Sequence, residues 1–449
     1  GDYKIGDDSL TITYTLKDGI KFHNGKVLTS ADVKYSFDTM FASNGSKRES
    51  FFETVPDESD PEKKAEKKVS HFTSIETPDP KTVVFKVTRP ALINQTLSNL
   101  VTIPIIPEGT GDSQKSNPVG SGPFKFVSYN SVNSIVMLEA NADYWEGAPK
   151  VPRLTVKTIP DASALQNELL SGGVDIAPNP TNLSPDSLKI LNEAPALKVE
   201  QGSGSNIQYI GFNTQATPFN DARIRQAVAY AIDREKIINE LFRGQSKIAY
   251  SILPDGSWAY TPGTKYSYEP AKARQLLQDA GYKGELVKFK FAAGNSAIKQ
   301  YSEIILSSLR EVGFNVEIET LEFQAMIDSL KNGQFQINTA IWIGGNQDPI
   351  FLRDLFASNE SPERKNGGRN RARYSNSEFD KVIEEAVNTV DKAKAKELYI
   401  KAQEIVSRDL PMLPLWYPAN TVIANKKIGN IKINASGDWS FVKDITVSQ

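Results

Sequence analysis

Residues 211–242 read GFNTQATPFNDARIRQAVAYAIDREKIINELF, and this stretch decides the fold. Its start completes a short apolar strand, residues 207–212, and a turn that contains Pro218 follows. Asn220 or Asp221 then offers a short polar side chain to the free N–H groups at the start of a helix. Apolar side chains recur along that helix at helical spacing, which predicts a buried stripe made of Ile224, Ala227, Val228, Ala231 and Ile232.

A second helix is predicted to begin at Asp233, where another short polar side chain precedes an apolar series. The side chains expected to face inward there are Ile237, Ile238, Leu241 and Phe242. By pattern alone, the whole stretch fits a buried helix pair in any α/β protein.

As a complete string, residues 211–242 resemble the signature of the family 5 extracellular solute-binding proteins. These are the peptide, opine and nickel receptors of ABC importers, in which the pattern (G/N)FN…PF.D.R.RQA…AIDR..I recurs. Residues 118–124 (PVGSGPF) and 141–147 (NADYWEG) resemble two further family motifs. Such matches follow the family's order along nearly the whole chain, so the chain is identified as a member. The glycine turn at 118–124 is expected to let the chain pass between subdomains without a Cβ clash.

Length and composition set the class of protein. A chain of 449 residues is too long for one simple core, so two or three domains are expected. The formal net charge of −2 provides no field that would attract nucleic acid or an anionic membrane. The absence of cysteine excludes disulfides, thiol catalysis and cysteine-bound zinc, and it is compatible with an oxidising compartment. No apolar run is long enough for a transmembrane helix.

The resemblance implies an α/β chain with the two-lobed periplasmic-binding-protein fold, of the cluster C type with an extra subdomain in lobe I. We expect that subdomain at residues 1–119, the core of lobe I at 120–253 and 417–449, and lobe II at 254–416. Prolines and glycines at 252–266 mark the change of lobe. Two crossing strands would form the hinge. Alternating strands and helices from 287 to 343 predict a mostly parallel sheet.

Three expectations concern the amino-terminal part of the chain. Residues 8–41 resemble a segment that lies some way into the mature family proteins, so we expect the family's first strand and its adjoining loop to be missing. Thr29 to Asp32 is predicted to begin a helix through a capping box. Residues 53–69 are charged and weakly apolar, which predicts a surface loop or an exposed helix.

The sequence predicts no catalytic or metal site. Residues 109–116 nearly spell a phosphate-binding loop, but Gln114 stands where the phosphates need a glycine. The only histidines, His23 and His71, have no second ligand at metal spacing, and His23 is expected to make a structural hydrogen bond. Residues 202–205 (GSGS) lack the surroundings of a nucleophile elbow. We therefore expect a protein that is not an enzyme and has no cofactor.

The predicted binding site begins at residues 342–349 (WIGGNQDP), where a strand ends in a glycine-rich loop. Open α/β sheets place their ligands at such strand ends. Peptide receptors of the family carry a similar W..D…DP motif and line their cleft with it. The resemblance implies ligand contacts from Trp342, Gly344, Gly345, Asn346 and Asp348. A core tryptophan followed by a plain turn is the alternative.

Gly345 is a departure from the family motif. Peptide-binding members place there the aspartate that holds the ligand's ammonium group, and glycine cannot form this ion pair. Asp348 could replace it, or it could cap the segment that begins at Pro349.

Two further groups of residues complete the predicted site. By resemblance, Phe323 aligns with a pocket aromatic of the family, and Lys299 lies near a carboxylate-binding arginine of dipeptide receptors. The basic stretch 364–374 (RKNGGRNRARY) is either a solvated loop or a rim that offers guanidinium groups to an anionic or polyhydroxy ligand. Its candidate residues are Arg369, Arg371 and Tyr374.

Together, these features predict the extracytoplasmic receptor of an ABC importer, which closes its lobes on a small solute and delivers it to the membrane permease subunits. A peptide is the expected ligand. An oligosaccharide, an opine or another polar solute is the alternative within the fold, and nickel is disfavoured because there are two histidines. A hydrolase or a chaperone-like module is the alternative outside the fold. The protein is expected to be a monomer without nucleic-acid partners, periplasmic or on the extracellular face, with a lipid anchor as an open option.

Overall fold

The computed structural model describes residues 1–43, 45–56, 66–90, 92–180, 182–342, 348–363 and 368–448. The chain forms two compact units. Unit 1 contains Gly1–Ile159, Lys427–Ile431 and Ser440–Gln449, and unit 2 contains Pro160–Lys426 and Lys432–Trp439. Within the described ranges, no helix is both long enough and apolar enough to span a bilayer.

The described strands, in chain order, are β1 (Asp2–Ile5), β2 (Thr11–Thr15), β3 (Phe52–Pro56), β4 (Glu66–Ser70), β5 (Phe72–Asp79), β6 (Thr82–Val87), β7 (Phe124–Asn130), β8 (Ile135–Ala140), β9 (Arg153–Lys157), β10 (Ile176–Pro178), β11 (Leu197–Gly202), β12 (Ile207–Phe212), β13 (Ser246–Ile248), β14 (Val287–Ala292), β15 (Val316–Leu321), β16 (Ile337–Trp342), β17 (Met412–Pro418), β18 (Asn420–Asn425), β19 (Ile428–Gly429) and β20 (Thr446–Val447). The α-helices are α1 (Ser30–Ala42), α2 (Ser46–Glu49), α3 (Leu92–Leu100), α4 (Ala162–Ser171), α5 (Pro185–Glu193), α6 (Ala222–Ala231), α7 (Arg234–Lys236), α8 (Pro270–Asp279), α9 (Ser296–Glu311), α10 (Phe323–Lys331), α11 (Phe351–Phe356), α12 (Ser377–Asn388) and α13 (Lys392–Asp409).

Unit 1 consists of small antiparallel sheets and short helices. One sheet has the strand order β1-β2-β6-β5, another has the order β7-β8-β9, and β3 pairs with β4 as β19 pairs with β20. Helix α1 packs on the first sheet through Phe37, whose ring centroid lies 5.2 to 6.3 Å from those of Phe51, Phe72 and Phe85. Edge-to-face contacts at these distances stabilise an aromatic core beyond simple burial.

The start of α1 confirms the capping box expected from the sequence. The Asp32 carboxylate accepts a hydrogen bond of 2.9 Å from the backbone N–H of Thr29, the residue before the helix. Asp32 is fully buried and also pairs with Lys26 at 2.6 Å. The helix therefore begins where the polar pattern places it.

The prediction for residues 53–69 was wrong at both ends of that range. Strands β3 and β4 pair antiparallel there, with Phe52 opposite Ser70 and Pro56 opposite Glu66, while residues 57–65 lie outside the described residues. Charge and low hydrophobicity do not prevent a hairpin, because backbone pairing needs no buried side chains.

The glycine turn before β7 serves a different purpose from the one expected. A Cβ on Gly122 would meet no atom within 4 Å, and one on Gly120 would meet only the His23 ring at 3.8 Å, so no Cβ clash is avoided there. Instead, His23 holds the turn: its Nε2 lies 3.0 Å from the carbonyl of Gly122, and its Nδ1 accepts from the Gly120 N–H at 3.2 Å. This confirms the structural hydrogen-bonding role expected for His23.

Unit 2 is organised around a six-stranded sheet with the order β13-β17-β12-β16-β14-β15. Strands β14, β15 and β16 run parallel, but β12 pairs antiparallel with both β16 and β17, and β13 pairs antiparallel with β17. The sheet is therefore mixed. The predicted parallel arrangement holds for the three strands between 287 and 343 and not for the whole sheet, because the βαβ pattern sets the direction only of the strands that it connects. A smaller sheet has the order β10-β18-β11.

Residues 207–242 form β12, α6 and α7 as predicted. The Asp221 side chain accepts from the N–H of Arg223 and caps α6, and Asp233 caps α7, which continues as a π-helical turn, Ile237–Leu241. All five residues of the predicted stripe are at most 2% exposed. Near the carboxyl terminus, α12 and α13 are two separate helices.

Two arginines of this stretch hold the returning strand β17 in place. Arg225 is 5% exposed and donates to the carbonyls of Phe219, Asp409 and Leu410 at 2.6, 2.5 and 3.1 Å. Arg234 is 4% exposed and donates to the carbonyls of Ala249, Pro414 and Tyr266. Burial lowers the pKa of Arg234 to about 10, so it stays cationic at neutral pH.

Candidate ligand-binding site

The predicted site residues follow the carboxyl ends of parallel strands. Strands β14, β15 and β16 end at Ala292, Leu321 and Trp342, and parallel strands have their carboxyl ends at one end of the sheet. We call this the carboxyl end of the sheet and the opposite one the amino end. Because Ile207 is opposite Trp342, β12 begins and β17 finishes at the carboxyl end. Ligands of open α/β sheets bind at this end.

Trp342 is the last residue of β16 and is partly buried. Its ring lies 4.8 Å from that of Phe351, so it packs on the start of α11. Asp348, 9% exposed, accepts a 2.9 Å hydrogen bond from the N–H of Ile350, and therefore caps the Pro349 segment, one of its two expected roles. Gly344, Gly345 and Asn346 lie outside the described residues.

Lys299 and Phe323 follow the two neighbouring strands. The Asn295 side chain caps α9 directly after β14, which places Lys299 on the first turn of that helix, where it is exposed. Among the described residues, no carboxylate lies within ion-pair distance of it. Phe323 begins α10 directly after β15 and is 66% exposed. An exposed aromatic ring at a strand end is available for contact with a ligand.

A cavity of about 230 Å³ lies at the same end of the sheet. Sequence analysis missed it, because its walls come from four separate segments: residues 201–204 before β12, residues 244–247 at the start of β13, Asp255, and residues 417–419 at the end of β17. Gly204 permits this approach, since a Cβ there would lie 2.2 Å from the Pro418 carbonyl oxygen. The lining consists of Gln201, Gly202, Ser203, Gly204, Gly244, Gln245, Ser246, Lys247, Asp255, Tyr417 and Ala419. Two glycines flanking a serine ahead of a buried strand were the available signal.

One ion pair and one buried hydroxyl shape this cavity. Lys247 and Asp255 pair directly, with side chains 66% and 42% exposed, and the hydrogen bond with Asp255 raises the pKa of Lys247. Tyr417 is 4% exposed, and its hydroxyl lies 2.7 and 2.6 Å from the carbonyl oxygens of Ser251 and Leu253, to one of which it donates. Burial raises its pKa, so it remains a neutral donor.

The structure places the basic stretch differently from the other candidates. Thr214, just after β12, donates its N–H to the Ala372 carbonyl at 2.9 Å, which places the Ala372 segment at the amino end of the sheet. Tyr374 is 5% exposed and donates to Asp409 at 2.6 Å, also at the amino end. Burial raises the pKa of Tyr209, and the charge of the partly buried Arg371 opposes this rise. Arg369 is exposed and pairs with Asp354 at 3.3 Å.

Trp342, Lys299 and Phe323 therefore all follow strands at the carboxyl end of the sheet, where the cavity beside β17 also lies. Asp348 caps the segment that begins at Pro349. Of the basic stretch, Tyr374 and the Ala372 segment lie at the amino end. In the described part of the chain, no group of three or more histidine, aspartate or glutamate side chains is placed to hold a metal ion.

Comparison with known proteins shows the family. Residues 2–363 match the family described as bacterial extracellular solute-binding proteins, family 5. The chain belongs to this family. Family 5 solute-binding proteins have the two-lobed α/β fold that the sequence predicted, so both the family and the fold class are confirmed.

Individual members differ in what they are named for. The chain is 30% identical to heme-binding protein A of Haemophilus influenzae, over 92% of this chain and 77% of that protein. It is 27% identical to the oligopeptide-binding protein AppA of Bacillus subtilis, over 96% of this chain and 80% of that protein. Its fold matches that of the ABC transporter-associated periplasmic binding protein DppA of Helicobacter pylori in complex with the peptide STSA, with a TM-score of 0.77, 25% identity, and coverage of 100% of this chain and 88% of the other.

Proposed function

We propose that this family 5 solute-binding protein is the receptor of an ABC importer and that it captures a peptide at the carboxyl end of its six-stranded sheet. The observation that carries the proposal is the position of Trp342, Lys299 and Phe323 at the ends of β16, β14 and β15. One exposed aromatic ring, one partly buried aromatic ring and one cation on adjacent strand ends suit an extended ligand with a main chain, side chains and a carboxylate.

Peptide is favoured over the other ligand classes by the chemistry of these residues and by the peptide ligands named for relatives. Heme is the ligand named for a relative of this chain. However, both histidines lie in unit 1, where His23 bonds to the turn before β7 and His71 is only 3% exposed, so neither is placed to bind heme at the candidate site. An opine or an oligosaccharide would use the same aromatic rings, and the experiment below separates them.

Binding without catalysis is the activity we infer. We propose that two lobes of the chain close on the ligand outside the cytoplasm, and that a permease in the membrane then receives it. Ligand at a hundredfold excess over Kd should then stabilise the protein by about 2.7 kcal/mol. Small-angle scattering at saturating peptide should show a smaller radius of gyration, and an unchanged radius would contradict closure.

Native mass spectrometry of gently purified protein tests the ligand class. A series of retained masses that fragment as peptides is the expected result. A single sugar, opine or heme mass would replace the peptide proposal with that ligand. Trp342→Ala purified in parallel should retain less of the same ligand, and equal retention would remove Trp342 from the site.

A further inference from the structure

We propose that the cavity beside β17 is a subsite for one uncharged, hydrogen-bonding side chain of a bound peptide, such as that of glutamine, asparagine or serine. The proposal rests on the peptide function proposed above and adds a preference for one kind of residue. It is carried by the size of the cavity, by the chemistry of its walls and by its position on the sheet.

The volume of the cavity suits one side chain. Pockets that enclose a whole small ligand measure about 300 to 1,000 Å³. At about 230 Å³, the cavity is below that range and much larger than one water molecule. It would hold one branch of a larger ligand whose main part lies outside.

The walls of the cavity favour a polar but uncharged group. Apart from the Tyr417 ring, the described lining residues are polar, glycine or alanine, and the amides of Gln201 and Gln245 can both donate and accept. An aliphatic side chain would cover these groups without replacing their hydrogen bonds to water, which is unfavourable.

The ion pair sets the charge preference. Lys247 and Asp255 neutralise each other, so the cavity offers no net charge to a carboxylate or an ammonium group. A charged side chain would have to compete with one member of the pair for the other. An uncharged amide or hydroxyl disturbs neither residue.

The part of the cavity formed by Tyr417 and Gly204 is preformed in the absence of ligand. Tyr417 is buried and bonded to the 251–253 segment, and Gly204 lies against the Pro418 carbonyl. A preformed cavity does not have to be ordered on binding, so its hydrogen bonds contribute more fully to affinity.

The sheet also fixes the distance between this cavity and the other candidate residues. Tyr417 is on β17, and Trp342 is on β16, with β12 between them. Adjacent strands are about 4.8 Å apart, so the two lie about 10 Å apart across the sheet, the length of roughly three extended residues. The side chain in the cavity should therefore belong to a residue about three positions from the one that contacts Trp342.

Calorimetry with alanine tetrapeptides tests the proposal, with each position in turn carrying Gln, Met, Glu or Lys. Met matches Gln in length but lacks the amide. At one position, we expect Gln to bind at least tenfold more tightly than Met, Glu or Lys. The preferred position should stay the same when the other positions are varied.

Two variants then shift the charge preference in opposite directions. Asp255→Asn leaves Lys247 unpaired, so the Glu peptide should gain at least fivefold relative to the Gln peptide. Lys247→Met leaves Asp255 unpaired, so the Lys peptide should gain instead. The matched controls are Lys189→Met and Glu193→Gln, which alter an exposed ion pair on α5 and should change neither ratio.

The possible outcomes distinguish a failure of the subsite proposal from a failure of the proposed peptide-binding function. Peptides that bind with no side-chain preference at any position, or ratios that do not move in the two variants, would overturn the subsite and leave the peptide function standing. Failure of all tetrapeptides to bind the wild type and its folded variants would overturn both. Circular dichroism on each variant establishes that it is folded.

Discussion

At the amino end of the six-stranded sheet, Arg225 and Arg373 are each 5% exposed, whereas at the carboxyl end Phe323 is 66% exposed. The two arginines donate to main-chain carbonyls, Arg225 to those before β17 and Arg373 to those of Leu330 and Lys331 before β16. Charged and aromatic residues occur at both ends. At the amino end, the fold satisfies the hydrogen-bonding groups of these arginines, whereas at the carboxyl end the side chains of Lys299 and Phe323 are exposed.

The difference shows why residue type alone is a weak guide to a binding site. A buried arginine that donates to three carbonyls is part of the scaffold, because each lost bond would leave a buried acceptor unsatisfied. An exposed lysine or phenylalanine at a strand end does little for stability. Mutations at the amino end should therefore change the free energy of unfolding, and those at the carboxyl end should change affinity.

Arg225→Leu should give the largest effect. It removes the donors to the carbonyls of Phe219, Asp409 and Leu410, so we expect the free energy of unfolding to fall by about 3 to 5 kcal/mol in urea titrations. Arg223→Leu, two residues away with a side chain 50% exposed, is the matched control and should cost less than about 1 kcal/mol. Equal losses for the two variants would contradict the scaffold role.

Tyr374→Phe should have a smaller effect that depends on pH. Burial would raise the pKa of Asp409, but hydrogen bonds from Tyr374, Arg408 and Asn376 outweigh it and lower that pKa. A lowered folded-state pKa contributes stability above the unfolded-state value of about 3.9, and this contribution is lost as pH falls through the folded value. Loss of the tyrosine hydroxyl should cost about 1.5 to 3 kcal/mol at pH 7 and less in acid.

Urea titrations at neutral and acidic pH measure this difference. Tyr282→Phe is the control, because its hydroxyl donates to the neutral carbonyl of Glu285 at 2.6 Å and its loss should cost the same at both pH values. A cost for Tyr374→Phe that does not change with pH would mean that Asp409 is not its partner in solution.

Trp342→Ala tests the carboxyl end. If the ring contacts ligand, the variant should bind the retained peptide about 1 to 3 kcal/mol more weakly, as measured by calorimetry. Trp416→Ala is the contrasting variant, since Trp416 is 2% exposed in the core of the same sheet and its loss should lower the unfolding free energy. A Trp342 variant with unchanged affinity and reduced stability would assign that residue to the core.

The smallest expected effect concerns the ligand's amino group. If Gly345 stands where the resemblance places the aspartate of peptide-binding members, and since Asp348 caps the Pro349 segment, a peptide and its N-acetyl form should bind within about tenfold, ~1.4 kcal/mol. Paired titrations with the two forms measure this ratio. A hundredfold loss on acetylation would mean that another carboxylate holds the ammonium group.

Local patterns predicted much of this fold. The strand at 207–212, the cap at Asp221 and the buried stripe of α6 all follow from hydrophobic period and helix-capping chemistry, which act between near neighbours. The antiparallel position of β12 between β16 and β17 did not follow from them, because it depends on which distant segment arrives beside it.

The candidate site was predictable to a similar degree. A strand end followed by a glycine-rich loop pointed to Trp342, whereas Lys299 and Phe323 were named only through the family resemblance. The cavity was not visible, since Gly204, Lys247 and Tyr417 come from three separate segments. Tyr374 looked like a neighbour of the basic loop, but its partner Asp409 lies at the far end of another helix, α13.

The pairing of β12 with β17 has a consequence for how the protein is made. Gln208 pairs with Trp416, and everything from α6 to α13 is synthesised between them. β12 therefore has no neighbour on that edge until residues 412–418 have been synthesised, and closing so long a loop is slow. Until then the six-stranded sheet is incomplete, and an incomplete sheet leaves the chain able to be threaded across a membrane.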